Sequence, residues 1–91
     1  MPISNKRTKS ISDPRYRKIV LKLVHLRKMA ELSQLELSQR IGLSQPDISK
    51  IENCQRRIDI TEFFDWLQAT SNSDASVIVQ LWGELHDDKS G

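Results

Sequence analysis

The stretch Ser33–Asn53, SQLELSQRIGLSQPDISKIEN, decides the fold. Ser33-Gln34-Leu35-Glu36 opens it as a capping box, in which the serine hydroxyl satisfies an orphan amide and the glutamate reaches back to the cap amide. A helix, the second of the chain, begins there and runs to about Ile41. Gly42 then supplies the left-handed conformation needed to turn the chain sharply. Two residues later Ser44-Gln45-Pro46-Asp47 repeats the cap, with Pro46 in a first turn where its missing N–H has no intrahelical partner anyway. A third helix is predicted over roughly Gln45 to Asn53. Helices joined by so short a turn cannot lie antiparallel, so the pair must cross steeply around Gly42. Leu37, Ile41, Leu43, Ile48 and Ile51 have the spacing to share one core against helices 1 and 4, with the small Ser38 at the close approach. Ser44, Gln45, Pro46, Asp47, Ser49, Lys50 and Asn53 remain for the outer face of helix 3, the polar inventory that a groove-reading helix requires.

Working outward, Ser12-Asp13-Pro14 supplies capping side chains and a first-turn proline for helix 1, expected from Pro14 to about Ala30. Its stripe is Tyr16, Ile19, Val20, Leu23, Arg27 and Ala30, with Leu21 and Val24 as a second apolar edge and one cation, Arg27, among them. Asp59-Ile60-Thr61-Glu62 is a further cap-like box. It opens helix 4, whose stripe is read as Ile60, Phe63, Phe64 and Leu67 and whose end dissolves into Thr70-Ser71-Asn72-Ser73. Helix 5 follows from about Asp74 with the stripe Ile78, Leu81, Trp82 and Leu85, and His86–Gly91 should fray. No segment alternates apolar and polar residues long enough for a strand, so the domain is all-α with five helices. The organisation expected is a flexible basic arm over 1–12, a helix-turn-helix unit over 13–70, and a C-terminal helix, read as a dimerisation element, with a frayed tail over 71–91.

Length and composition narrow the class. The 91 residues suit one small domain, and 37% hydrophobic with 29% charged residues, three glycines and three prolines argue against disorder or a β-rich barrel. Without a long apolar run, neither membrane insertion nor secretion is supported, and a cytoplasmic location is expected. The one cysteine, Cys54, offers neither an intramolecular disulfide nor a Cys-based zinc site. His25 and His86 belong to no metal-ligand cluster or nucleophile motif, and no Gly-rich phosphate loop exists, so no enzyme, metal or cofactor is expected. The net charge of +2 hides an asymmetry. Residues 1–57 hold thirteen of the fourteen Lys and Arg against five acids, a balance of +8, while the rest sets Lys89 against seven acids, −6. The first part suits a polyanion, and the second turns away from it or meets another protein.

The stretch from Ser33 to Asn53 resembles the helix-turn-helix of the phage repressor and Cro family, also called XRE-like regulators, and the resemblance covers about Tyr16 to Thr70. Gln34, Leu37, Ser38, Ile41, Gly42, Leu43, Ile48, Ile51 and Glu52 all fall in register. It implies a five-helix bundle of the lambda-repressor-like DNA-binding type with a central helix-turn-helix. It also implies an ion pair between Arg27 and Glu52, which explains the cation on an apolar stripe as an orienting device. Two positions depart from the family pattern. Cys54 stands where glycine is frequent, so helix 3 must close differently or place Asn53 in the left-handed conformation. Pro46 stands where a base reader is frequent and offers only apolar contact, for instance to a thymine methyl.

By the same resemblance Gln45 is the leading base reader, through adenine N6 and N7, with Ser44, Pro46, Ser49 and Lys50 completing the base-facing set. Gln34 and Asn53 flank the groove as phosphate contacts, and Arg56 and Arg57 extend that clamp. The arm residues Lys6, Arg7 and Lys9 either follow phosphates or form an unrestrained tail. The apolar face of helix 5, Ile78, Leu81, Trp82 and Leu85, either caps the monomer or meets a second copy; the family's dimers imply a homodimer on a pseudo-palindromic double-stranded DNA operator. The expected function is a sequence-specific transcriptional regulator, most simply a repressor. The alternative is an antitoxin-type module whose acidic second part binds a partner protein.

Overall fold

The computed structural model describes residues 10–71 and 76–86, and among them finds five α-helices and no strand. They are α1 (Pro14–Met29), α2 (Gln34–Ile41), α3 (Gln45–Glu52), α4 (Ile60–Ser71) and α5 (Ser76–His86). The fold is all-α, as the sequence requires. Ser10–Ser12 form one 3-10 turn packed on α1, where the sequence suggested loose arm; Lys6, Arg7 and Lys9 lie outside the described residues, as does the expected helix start at Asp74.

The caps occur where the side chains allow them. Asp13 accepts from the Arg15 amide at 2.8 Å, with Pro14 in the first turn of α1. The Ser33 hydroxyl accepts from the Glu36 amide at 3.0 Å while Glu36 accepts from the Ser33 amide at 2.8 Å, so the capping box is complete. Ser44 accepts from the Asp47 amide at 3.2 Å. At α4, Thr61 N–H donates to Asp59 at 3.0 Å and Glu62 accepts from the Asp59 amide at 2.9 Å.

The ends of α1, α2 and α3 are set by left-handed residues. Gly42, at φ 76°, donates to the Ser38 carbonyl at 2.9 Å and turns the chain from α2 into α3. Helix α1 closes through Glu31 at φ 61°: Glu31 N–H reaches Lys28 O, and Leu32 N–H reaches back to Arg27 O. Helix α3 closes in the same way through Cys54 at φ 58°, with Cys54 N–H on Ile51 O and Gln55 N–H on Lys50 O. The closure therefore uses Cys54 and not Asn53, which stays at φ −93°.

The core is Leu23, Leu32, Leu37, Ile48, Ile51, Trp66 and Leu67, with Ile19, Leu26, Ala30, Ile41, Leu43, Ile58, Phe63 and Ala69 packed against it. Ser38 is buried among them and satisfies its hydroxyl on the Leu35 carbonyl at 2.7 Å. Helix α4 departs from the expected stripe. Ile60 and Phe64 are 63% and 50% exposed, while Trp66 is fully buried and donates its indole N–H to the Leu23 carbonyl at 3.0 Å. Two apolar stripes compete on this helix, and the one through Phe63, Trp66 and Leu67 removes the largest side chain from water. On α1, Leu21 is exposed and does not extend the core.

Candidate nucleic-acid interface

Helix α3 carries its apolar residues Ile48 and Ile51 inward at 0% exposure and leaves Ser44, Pro46, Lys50 and Asn53 exposed, with Gln45, Asp47 and Ser49 half-buried at the edges. The left-handed turn at Gly42 and the core that Ile48 and Ile51 share with α1, α2 and α4 hold that polar face outward. Ser44 is committed as the cap. Asn53 folds its amide back onto the Ser49 carbonyl at 2.9 Å, and Lys50 lies in the last turn, where a cation is favoured by the helix dipole.

One hydrogen-bonded chain runs beneath this face. Arg27 Nε and Nη2 donate to Glu52 Oε2 and Oε1 at 2.6 and 3.0 Å, and Arg27 Nη1 donates to the Leu32 carbonyl at 2.8 Å. Glu52 Oε1 also accepts from Gln34 Nε2 at 2.9 Å, and Gln34 Oε1 accepts from Gln45 Nε2 at 2.7 Å. The Arg27–Glu52 pair is 11% and 8% exposed, and every buried side-chain nitrogen and oxygen among the described residues has a partner. A buried bidentate pair with satisfied remaining donors contributes orientation more than net stability. Here it ties α1 to the end of α3, while Gln34 ties the start of α2 to both ends of α3.

Past α3 the two arginines divide. Arg56 places both fork nitrogens on Glu62 at 3.0 Å, which raises its own pKa and holds the Glu62 carboxyl below the usual carboxylate range. Arg57 is exposed and stacks over the Tyr16 ring, its guanidinium carbon 5.8 Å from the centroid. Tyr16 in turn accepts the Ile58 amide through its hydroxyl at 3.0 Å, which fastens the segment between α3 and α4 to α1. Sequence reasoning did not find Glu62 as a partner of Arg56, because its role in the α4 cap accounted for it. Nor did it find the Tyr16 contact, which spans 42 residues with no local signature.

Of the helix 5 residues, Trp82 is 66% exposed and Leu85 half-buried, both beside a cleft shared with Tyr16, Ile19 and Arg57. The side chains of Ile78 and Leu81 lie outside the described residues. Among the described residues no group of three or more His, Cys, Asp or Glu is placed to hold a metal ion, and no helix is long and apolar enough to cross a membrane.

Two short capped helices crossing at a left-handed glycine, the second with a polar outer face braced from behind, define a helix-turn-helix DNA-binding domain. A family model described as helix-turn-helix matches residues 24–71, just over half of the chain. The chain belongs to the XRE-like helix-turn-helix family and is a DNA-binding transcription regulator of that type. No curated protein matches the chain at a significant level.

Proposed function

We propose that the protein is a repressor that reads the major groove with α3 and occludes a promoter. The observation that carries this is the chain Arg27–Glu52–Gln34–Gln45, which delivers an oriented amide to the entrance of a helix whose outer face is polar. In this reading Gln45 bonds an adenine edge and Lys50 a guanine edge. Ser44, Ser49 and Pro46 complete the base-facing surface, Pro46 through apolar contact alone. Gln34, Asn53 and Arg57 bind phosphates and set the register.

The α5 face supports a homodimer, since Trp82 is a large, exposed aromatic on a helix that is otherwise apolar around Ile78, Leu81 and Leu85. Two copies would hold their recognition helices roughly 34 Å apart and select a pseudo-palindromic operator. Acidic residues concentrate after Arg57 in the sequence, and one of them, Glu62, is neutralised by Arg56.

Dimethyl sulfate protection on a bound duplex tests the groove. Protection of guanine N7, which faces the major groove, supports the reading. Protection confined to adenine N3, in the minor groove, refutes it.

A further inference from the structure

Helix α3 is braced on two flanks. Arg27 and Gln34 hold the Glu52 flank. Arg56 stands on the other, in the segment that follows the helix. Its Nη1 and Nη2 donate to Glu62 Oε1 and Oε2, and Nη1 also donates to the Arg57 carbonyl at 3.1 Å. Its Nε lies 3.8 Å from Asp47 Oδ1, in the first turn of α3. Its backbone amide donates to the Lys50 carbonyl at 3.3 Å. One guanidinium thus joins the start of α3, the segment leaving it and the start of α4.

This arrangement is poorly suited to a phosphate. Two carboxylates, Asp47 and Glu62, already face the Arg56 charge, so an approaching phosphate meets them as well. To bind it, the arginine must abandon a fork-to-fork pair whose geometry an ammonium cannot reproduce. We propose that Arg56 is a positioning residue that fixes α3 against α4 for base reading and contributes no charge to the phosphate clamp. The proposal rests on α3 being the reading helix.

Salt-dependent fluorescence anisotropy on the full chain separates the roles, using a labelled mixed-sequence duplex and a duplex selected by the wild-type protein, from about 50 to 200 mM salt. Arg56→Lys keeps the charge and loses the fork; Arg56→Gln loses both. For both variants we expect the wild-type salt slope, unchanged affinity for the mixed duplex, and a loss of about two- to fivefold on the selected duplex, the size of one partly exposed ion pair. A phosphate contact predicts otherwise: a slope shallower by about one for Arg56→Gln, and near-normal binding for Arg56→Lys. Either result overturns the proposal. Equal losses on both duplexes, accompanied by a lower melting temperature, would mark a purely structural brace and overturn it too. If the unsubstituted protein selects no duplex, the reading of α3 itself fails and the proposal falls with it.

Discussion

Gln45 Nε2 donates to Gln34 Oε1 at 2.7 Å, so the residue that opens α3 is held by the residue that opens α2. The bond leaves the Gln45 side-chain oxygen and its second amide hydrogen for a base edge, and it removes rotamer freedom before DNA arrives. Gln45→Ala is expected to relax sequence choice at one base position in each half-site by about 1–3 kcal/mol. Gln34→Ala should blur the same position, and the double variant should lose less than the sum. A double-mutant cycle on the selected duplex measures this, and additive losses would separate the two residues.

Breaking the pair behind the reading face is expected to be costly. Arg27→Met leaves Glu52 buried with only Gln34 as partner, a loss of about 3 kcal/mol in folding stability. Replacing both Arg27 and Glu52 by methionine should cost less than the two single changes together, because no buried charge is left over. Urea denaturation followed by circular dichroism reads each value.

Trp66 is the largest fully buried side chain and spans from α4 to the Leu23 carbonyl of α1. Trp66→Ala should remove about 3–5 kcal/mol, enough to unfold much of so small a domain. Phe64→Ala, at a half-exposed neighbouring position, should stay within about 1 kcal/mol. Thermal melts of the two variants compared side by side check the orientation of α4.

Cys54 occupies φ 58°, a conformation that disfavours any side chain. Cys54→Gly is expected to stabilise the protein by about 0.5–1 kcal/mol through relief of that conformation, and Cys54→Val to destabilise it. Opposite signs of the shift in melting temperature would confirm that α3 closes through this residue.

Acid should weaken the fold through four carboxylates, the first of them Asp13, held low by hydrogen bonds from Arg15. Hydrogen bonds from Arg56 hold Glu62 below its usual range, those from Thr61 do so for Asp59, and the Ser33 amide does so for Glu36. Each is depressed in the folded state, so its contribution is complete above the ordinary carboxylate pKa of about 4 and disappears as pH falls through the folded value. Melting temperature should therefore be flat near neutrality and fall below about pH 4. In Glu62→Gln the fall should be smaller, from a lower starting point, and an unchanged acid slope would remove Glu62 from the account.

What was legible in the sequence was what local chemistry controls. Ser33 with Glu36, Ser44 with Pro46, and Gly42 between them locate α2 and α3 to within a residue, because caps and left-handed turns act over a few bonds. The resemblance to the repressor and Cro family supplied Glu52 as the partner of Arg27, which was itself legible as a cation on an apolar stripe. The face of α4 was not, since Ile60-Phe63-Phe64-Leu67 and Phe63-Trp66-Leu67 are both valid helical stripes, and only packing against α1 and α2 selects the second. Glu31 and Cys54 carry no signal that they enter the left-handed region. Their conformations are imposed by the chain closing on Leu32 and on Gln55. Arg56 is likewise a basic residue in a basic run until Glu62 is seen against it.

Selection from a random duplex library at near-physiological salt, with sequencing of the DNA retained, tests the central claim most directly. The account expects a pseudo-palindrome with half-sites about one helical turn apart, in which Gln45→Ala relaxes a defined base position. Retention without sequence preference, disappearing as salt rises, would contradict it and leave only backbone affinity.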